Sequence, residues 1–536
     1  MVLGLSRTYA VRKSTAFVAG LGTLAATILA YLTTPTSVLP EYGQTLLPSM
    51  VPYAKVLIGI VGTMLLLLMA GTVDRSEEQA IKSNVRAFDP LRSNRAEFYA
   101  FFLFSLTGLM LCADADDLIW LFLALELTSL PTYIMVAIST ARNRGREAGV
   151  KYFFLGAMGA AVFLYGFALI YGATGSTNLN TIAAHFATNG VSSLGMAGVL
   201  LAIIGASFKI AAVPMHFYTP DVYEGAAPQV SAFLAFVPKT AGFLTILLLC
   251  ATVGWAYAPS PAGVDLSVAR HAEGGTQLPD LLRLTLWVMA ALTMTVGNVL
   301  AVLQSSVKRI LAYSSIAHSG YMLVGVIAGP GPEGAGFTSN GVSAVLFYLL
   351  AYGVMNAGVF GVLAALERSP GPDGEPREIE TVADLRGLCA SHPFLGWTMV
   401  ICGLSLLGLP PLLGFFGKLP LFTSAIRAGE IPLVIILGIN SAIAAFYYLR
   451  ISFAPLLEAA DTNAEPIVAA PFRTRQYGAL ISAVGVVLLS VAGNILIESA
   501  HDAGQYSVSR GDSESASTIV DTTQTPLETR RMQEAQ

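Results

Sequence analysis

Lys209, Lys239 and Lys418 each lie inside a long apolar run, and Glu126 and His318 do so in two further runs. A charged side chain at the centre of a bilayer helix carries a penalty of roughly 2.5–3.5 kcal/mol on insertion scales, so residues of this kind point to ion or proton movement. Thirteen nonpolar or small residues (196–208) precede Lys209, and Lys239 stands between SAFLAFVP and TAGFLTILLLC. A lysine near a span end can instead snorkel to the headgroups. Both segments run too deep for that to be the first choice.

Glu126, in WLFLALELTSLP, falls near the middle of its run and is the natural partner for Lys209. Withdrawing a carboxylate from a buried ammonium would let the ammonium release its proton. Lysine suits such a task because burial shifts its protonation equilibrium readily, whereas arginine stays charged. A static ion pair is the alternative. His318, in KRILAYSSIAHSGY, has Tyr313, Ser314, Ser315 and Ser319 beside it. Imidazole titrates near neutral pH and offers two nitrogens, as a relay requires; a hydrogen-bonded helix contact needs the same residue.

The elements that must hold these groups follow from composition. Of 536 residues, 54% are hydrophobic and 12% charged, with a mean hydropathy of +0.65, against roughly 25% charged in soluble domains. The chain therefore reads as an all-α, polytopic membrane protein. With about 20 apolar residues needed per spanning helix, about 13 transmembrane helices are expected. The first, after Arg7, Arg12 and Lys13, resembles a secretory signal, but its length favours an uncleaved span.

Five spans in 97–254 and five in 282–454 form two groups whose fourth members are both interrupted by proline, at Lys209-I-A-A-V-Pro214 and at Pro410-Pro411-L-L-G-F-F-G-Lys418. Matched broken helices mark transport sites, and an odd number of spans per group inverts the second group relative to the first. Proline kinks in packed helices are the plainer reading. The expected organisation is N-terminal helices over 1–96, a first five-helix repeat over 97–254, an inverted second repeat over 282–454, a last span within 455–498, and a polar tail over 499–536 expected to be disordered.

Loops on the side of the N-terminus carry 20 of the 30 Lys and Arg, and the opposite side carries seven. Positive charge concentrates on the cytoplasmic side, which predicts a cytoplasmic N-terminus and an external C-terminus. Lys308 and Arg309 read as interfacial anchors on that side. His216, Asp221 and Glu224 follow the first break, where proton entry, an interface or ordinary loop packing would all suit them. Asp114, Asp116 and Asp117 form an acidic loop that needs no special function.

Several classes are excluded or left without support. The sequence contains no phosphate-binding loop and no strand–turn–helix glycine motif. Cys112, Cys250, Cys389 and Cys402 are scattered without metal-ligand spacing, and no sustained basic groove suggests nucleic acid. No cofactor is expected in this chain.

The strings FLALELTSLP (122–131), FKIAAVPMHFYTPDVYEGAAP (208–228), VKRILAYSSIAHSGY (307–321) and LPPLLGFFGK (409–418) resemble the antiporter-like subunits of respiratory complex I, and among them subunit N of bacterial NADH-quinone oxidoreductase. The resemblance runs from about residue 97 to 454. It implies a proton-translocating subunit of a bacterial inner-membrane complex, with Glu126 and Lys209 as a paired site, Lys239 as the connection toward the centre, His318 on the polar axis and Lys418 on the exit side. NADH, FMN, iron-sulfur clusters and quinone would belong to partner subunits, and the neighbours would be antiporter-like subunit M and small subunits such as K. Subunit M resembles this chain less, having glutamate where Lys418 stands; subunit L continues into a long lateral helix. The family usually has fourteen spans, and this chain is expected to lack the first. A subunit of a multisubunit monovalent cation/proton antiporter, which shares this fold, is the alternative.

Overall fold

The computed structural model describes residues 2–6, 8–32, 46–140, 143–255, 278–331, 336–369, 377–459 and 466–504. Of the polar tail expected to be disordered over 499–536, residues 499–503 instead complete the Gly493–Ala503 helix, with Ala500 and Ala503 buried, and residues 505–536 lie outside the described residues. Among those described, eleven helices are long and apolar enough to cross a membrane, so the chain is a multi-pass membrane protein. The two other expected spans are the interrupted ones. The first runs as Ser193–Ser207 and then unwinds through residues 208–218. The second is Pro393–Leu407, a short turn, and Leu413–Arg427.

Several of the helices begin where the sequence supplies a side-chain acceptor for free backbone N–H groups. Asp117 accepts from the amide of Ile119 at 2.7 Å, Ser192 from Gly195 at 3.1 Å and Asn340 from Ser343 at 2.9 Å. Three helices, Pro228–Val253, Val307–Ala328 and Gly341–Ala365, are buried almost along their whole length and form the centre of the bundle. The Tyr9–Leu32 helix stands at the periphery, with Phe17, Leu21, Leu24, Ile28 and Leu32 exposed.

The two five-helix groups share one pattern of neighbours. In the first, Arg95–Ala113 packs on Leu118–Ile138, which packs on Asn143–Thr174, which packs on the broken helix, and Pro228–Val253 closes against the broken helix and the first two members. In the second, Asp280–Val302, Val307–Ala328, Gly341–Ala365, the broken helix and Ile431–Leu457 repeat that order. Close backbone approach seats the first broken helix. An added Cβ at Gly166 would lie 2.4 Å from the Ala202 nitrogen, and one at Gly205 2.4 Å from the Phe163 nitrogen, the small-residue packing expected where no hydrophobic drive exists between helices in lipid.

The segments after Ala365 and Leu457 form a structure with no strand signal in the sequence. Strands β1 (Leu366–Arg368), β2 (Arg377–Glu378) and β3 (Ile467–Ala469) form an antiparallel sheet in the order β2-β1-β3. Its register places Glu367 opposite Glu378 and Arg368 opposite Arg377. Charges from other segments offset this repulsion: Arg75 meets Glu367 at 2.5 Å, Lys308 meets Glu378 at 2.8 Å, and Arg368 pairs with Asp384.

Candidate functional site

Unwinding after Ser207 places Lys209 on the turn itself, 3% exposed. Its Nζ donates to Ser129 Oγ at 2.5 Å and lies 3.5 Å from Glu126 Oε1, so the pair expected from sequence forms. The Phe163 and Phe208 rings enclose the ammonium, their centroids 5.8 and 5.9 Å away. The backbone freed by the break is satisfied by protein, as it must be at membrane depth. Tyr218 donates from its hydroxyl to the Phe208 carbonyl at 2.7 Å, and the Ala212 amide donates to Ser207 at 2.9 Å.

Two further contacts to the break come from the second group of helices. The Val213 amide donates to Thr293 Oγ1 at 2.9 Å, and Ser319 Oγ donates to the Ile210 carbonyl at 2.5 Å. The first break is thus seated on side chains from the other half of the molecule.

Lys239, 2% exposed, belongs to the central Pro228–Val253 helix. It does not snorkel: its Nζ donates to the Ser315 carbonyl and to Ser319 Oγ, the latter at 2.6 Å, and faces the Tyr352 ring at 5.3 Å. Gly242 brings this helix against the break, since an added Cβ there would lie 2.9 Å from Lys209 Cβ. Lys239 is therefore tied, through the Ser319 hydroxyl, to the carbonyl of Ile210, the residue that follows Lys209 on the break.

His318, wholly buried, uses both ring nitrogens. Nδ1 pairs with Tyr348 Oη at 2.6 Å and Nε2 with Tyr448 Oη at 2.7 Å, and Tyr448 also bonds Ser314 Oγ. A neutral imidazole donates at one nitrogen and accepts at the other, so the two tyrosines stand on opposite sides of a group able to pass a proton.

Lys418 differs from Lys209. It lies in the second half-helix, Leu413–Arg427, and reaches back across the break to cap the first half-helix, donating to the Leu407 carbonyl at 2.8 Å. A cation there meets the negative end of the helix dipole. Gly408, at φ +90°, opens the turn, and the Gly414 amide donates to Ser405 Oγ at 3.0 Å to close it. Lys418 makes no hydrogen bond to His318; both neighbour the Tyr321 ring, at 5.1 Å from the ammonium and 5.4 Å from the imidazole.

Other sequence candidates resolve into ion pairs at the ends of helices. Asp221 and Glu224 both bind Arg309, at 3.0 and 2.9 Å. Burial raises the Asp221 carboxyl, but hydrogen bonds from Lys151 and Arg309 more than offset it and hold it below the usual carboxylate value. Lys308 departs from the anchor expected of it: it is 3% exposed and donates to Ala226 O at 3.0 Å and to Glu378. His216 is buried beside the break. Asp117 caps its helix and accepts from Thr177 Oγ1 at 2.5 Å, and Asp114 pairs with Lys55 at 2.7 Å.

Ser129, Tyr348 and Tyr448 have no counterpart among the sequence candidates. The signal available was weak, a polar atom on a side chain in an apolar run, which an aromatic core residue also gives. Among the described residues no group of three or more His, Cys, Asp or Glu is placed to hold a metal ion.

A helical bundle with two broken helices, and buried lysine, carboxylate, imidazole and hydroxyl groups in both halves, defines a membrane protein of the antiporter-like class. A family model described as NADH:quinone oxidoreductase/Mrp antiporter, transmembrane region, matches residues 115–259 and 279–444. NADH-quinone oxidoreductase subunit N of Trichlorobacter lovleyi is 42% identical over 67% of this chain and 67% of its own length, and subunit N of Salinibacter ruber is 37% identical over 76% of both. A chain of respiratory complex I from Thermus thermophilus superposes with a TM-score of 0.68 at 30% identity, covering 92% of this chain and 95% of that one. The Mrp complex from Dietzia matches in fold, with a TM-score of 0.69 at 19% identity, over 93% of this chain and 92% of the other. The chain belongs to the NADH:quinone oxidoreductase/Mrp antiporter family, among relatives that are subunit N of NADH-quinone oxidoreductase.

Proposed function

We propose that this chain is a proton-translocating membrane-arm subunit of an NADH-quinone oxidoreductase, in which quinone reduction elsewhere in the complex drives proton transfer through Glu126, Lys209, Lys239, His318 and Lys418. The observation that carries the reading is the set of buried polar clusters at helix depth in both halves: Glu126 with Lys209, Lys239 with Ser319 and the Ile210 carbonyl, and His318 between Tyr348 and Tyr448. Desolvated charges so arranged change their protonation when a neighbouring charge moves. Glu126 and Lys209 serve as the paired site of the first half, Lys239 and His318 as the connection, and Lys418 as the site of the second half.

The division into 1–96, repeats over 97–254 and 282–454, a last span within 455–498 and a tail over 499–536 belongs to the same reading. So do a bacterial inner-membrane location, a cytoplasmic N-terminus and an external C-terminus, supported by the 20 of 30 Lys and Arg on the N-terminal side. The chain carries no redox site of its own; NADH, FMN, iron-sulfur clusters and quinone lie with partner subunits, and subunits M and K are its neighbours.

Moving one charge across 100 mV takes about 2.3 kcal/mol, which this chain obtains from its complex. The test is isolation of a tagged chain from native membranes. Copurification with NADH:quinone activity, and loss of coupled pumping in Lys418→Met with redox turnover kept, are expected. Recovery instead with small membrane subunits that exchange sodium for protons, and without NADH oxidation, would assign the chain to an antiporter.

A further inference from the structure

Ser319 occupies a place where one hydroxyl proton must be shared. Its Oγ lies 2.5 Å from the Ile210 carbonyl, 2.6 Å from Lys239 Nζ and 3.3 Å from the Ser315 carbonyl. A serine hydroxyl can donate only once, though it accepts twice. With Lys239 as an ammonium, nitrogen has donors only, so Ser319 accepts from Lys239 and gives its proton to the nearer of its two carbonyls, Ile210 at 2.5 Å against Ser315 at 3.3 Å. The other N–H groups of Lys239 serve the Ser315 carbonyl and face the Tyr352 ring.

A neutral amine changes this. Its lone pair must point somewhere, and the face of an aromatic ring repels it while attracting an N–H. Of the two groups hydrogen-bonded to Lys239, the Ser315 carbonyl has no proton to give and the Ser319 O–H has one. Once that proton turns to Lys239, the Ile210 carbonyl loses one of the two hydrogen bonds that tie the first break to the second half, leaving the one from the Val213 amide to Thr293. Ile210 adjoins Lys209, and Ala211 beside it has a positive φ of 55°, a conformation a non-glycine residue holds only when its surroundings impose it.

We propose that Ser319 is a positioning residue that reports the protonation state of Lys239 to the first broken helix, holding the Ile210 carbonyl while Lys239 is charged and releasing it when Lys239 is neutral. The Ser319 proton is redirected between two acceptors and never transferred. Other titratable groups around Lys239 are His318 on the Val307–Ala328 helix, Tyr352 on Gly341–Ala365, Tyr223 on Thr219–Gly225, whose hydroxyl lies 3.5 Å from Ser315 Oγ, and Lys209 on the break. The inference rests on the proton-translocating reading above.

The test is amide hydrogen exchange across residues 205–215 of the whole complex in lipid nanodiscs, followed against pH and corrected for intrinsic chemical exchange. In the wild type, protection should fall as Lys239 loses its proton, by about fivefold for one hydrogen bond. Ser319→Ala should show the unprotected level at every pH, and Ser319→Thr, which keeps a hydroxyl, should restore the pH response. Lys239→Arg stays charged and Lys239→Met offers no lone pair, so both should hold the protected level throughout. A pH response that persists in Ser319→Ala, or in both Lys239 variants, would overturn the proposal, as would a flat wild-type profile. Should Ser319→Ala fail to assemble, the Lys239 variants decide alone. Unimpaired pumping by Lys209→Met, with the exchange pattern as expected, would sink the translocation reading and leave the Ser319 linkage standing.

Discussion

Breaking the pair between Lys209 and Glu126 is the perturbation with the most direct reading. At 3.5 Å, two unit charges attract by about 5 kcal/mol at an effective dielectric of about 20. Removing one partner of a buried pair costs about 3–5 kcal/mol, because the other charge is left uncompensated. The Glu126 side chain keeps 18% of its surface exposed, which draws the effect toward the lower end. In Glu126→Gln the ammonium would retain the Ser129 hydroxyl and the faces of Phe163 and Phe208. In Lys209→Met the carboxyl would gain nothing in exchange. The double variant leaves neither charge stranded, and a coupling of about 2 kcal/mol is expected, inside the usual range for contacting residues. That corresponds to about thirtyfold in a rate. The assay is redox-driven proton uptake in inverted membrane vesicles, normalised to quinone reduction, with assembly followed separately. Strict additivity of the two single variants, or normal pumping in either, would refute the argument that the two residues act as a unit.

Three other outcomes follow from particular contacts. Tyr448→Phe removes the hydroxyl between His318 and Ser314 and leaves buried polar atoms unpaired, at a cost of about 1–3 kcal/mol; thermal unfolding of the purified complex should show the loss, and pumping should fall with it. Gly242→Ala would place a Cβ 2.6 Å from Ile210 Cγ2, overpacking worth about 1–3 kcal/mol, whereas Gly172→Ala, whose nearest neighbour is Leu194 Cδ2 at 3.7 Å, should be near neutral in the same melting experiment. Asp384 offers a pH test at the sheet: burial raises its carboxyl, but the Thr381 and Glu380 amides and Arg368 more than offset this and hold it below its usual 3.8. A depressed carboxyl stabilises the fold fully above the unfolded value and loses that contribution as pH falls through the folded one. Asp384→Asn removes the charge opposite Arg368 and should therefore lower stability by up to about 1 kcal/mol at neutral pH, and the difference should vanish only below pH 3.8.

Much of the candidate site was legible because charge in an apolar run is costly wherever the run ends up. Lys209, Lys239, Lys418, Glu126 and His318 could be named without coordinates for that reason. The broken helices were legible through proline, which cannot donate a backbone hydrogen bond. Tyr348 and Tyr448 were not, since a tyrosine in an apolar helix looks the same whether its hydroxyl serves His318 or a backbone carbonyl. Lys308 was misread because an apolar run that begins with Lys-Arg resembles an interfacial anchor. Its partner, Glu378, sits 70 residues away on a strand that alternation did not reveal.

The sequence by itself determined that this chain is a membrane-embedded helical bundle with titratable groups at helix depth, because hydrophobicity and the cost of buried charge are properties of each segment taken alone. Only the tertiary structure decided which of those groups meet. Ser319 reaches Ile210 across 109 residues, and Thr293 reaches Val213 across 80. Contacts of that kind depend on how two repeats pack face to face, on the rotation of each helix and on glycines that admit close approach, and no local pattern carries that information.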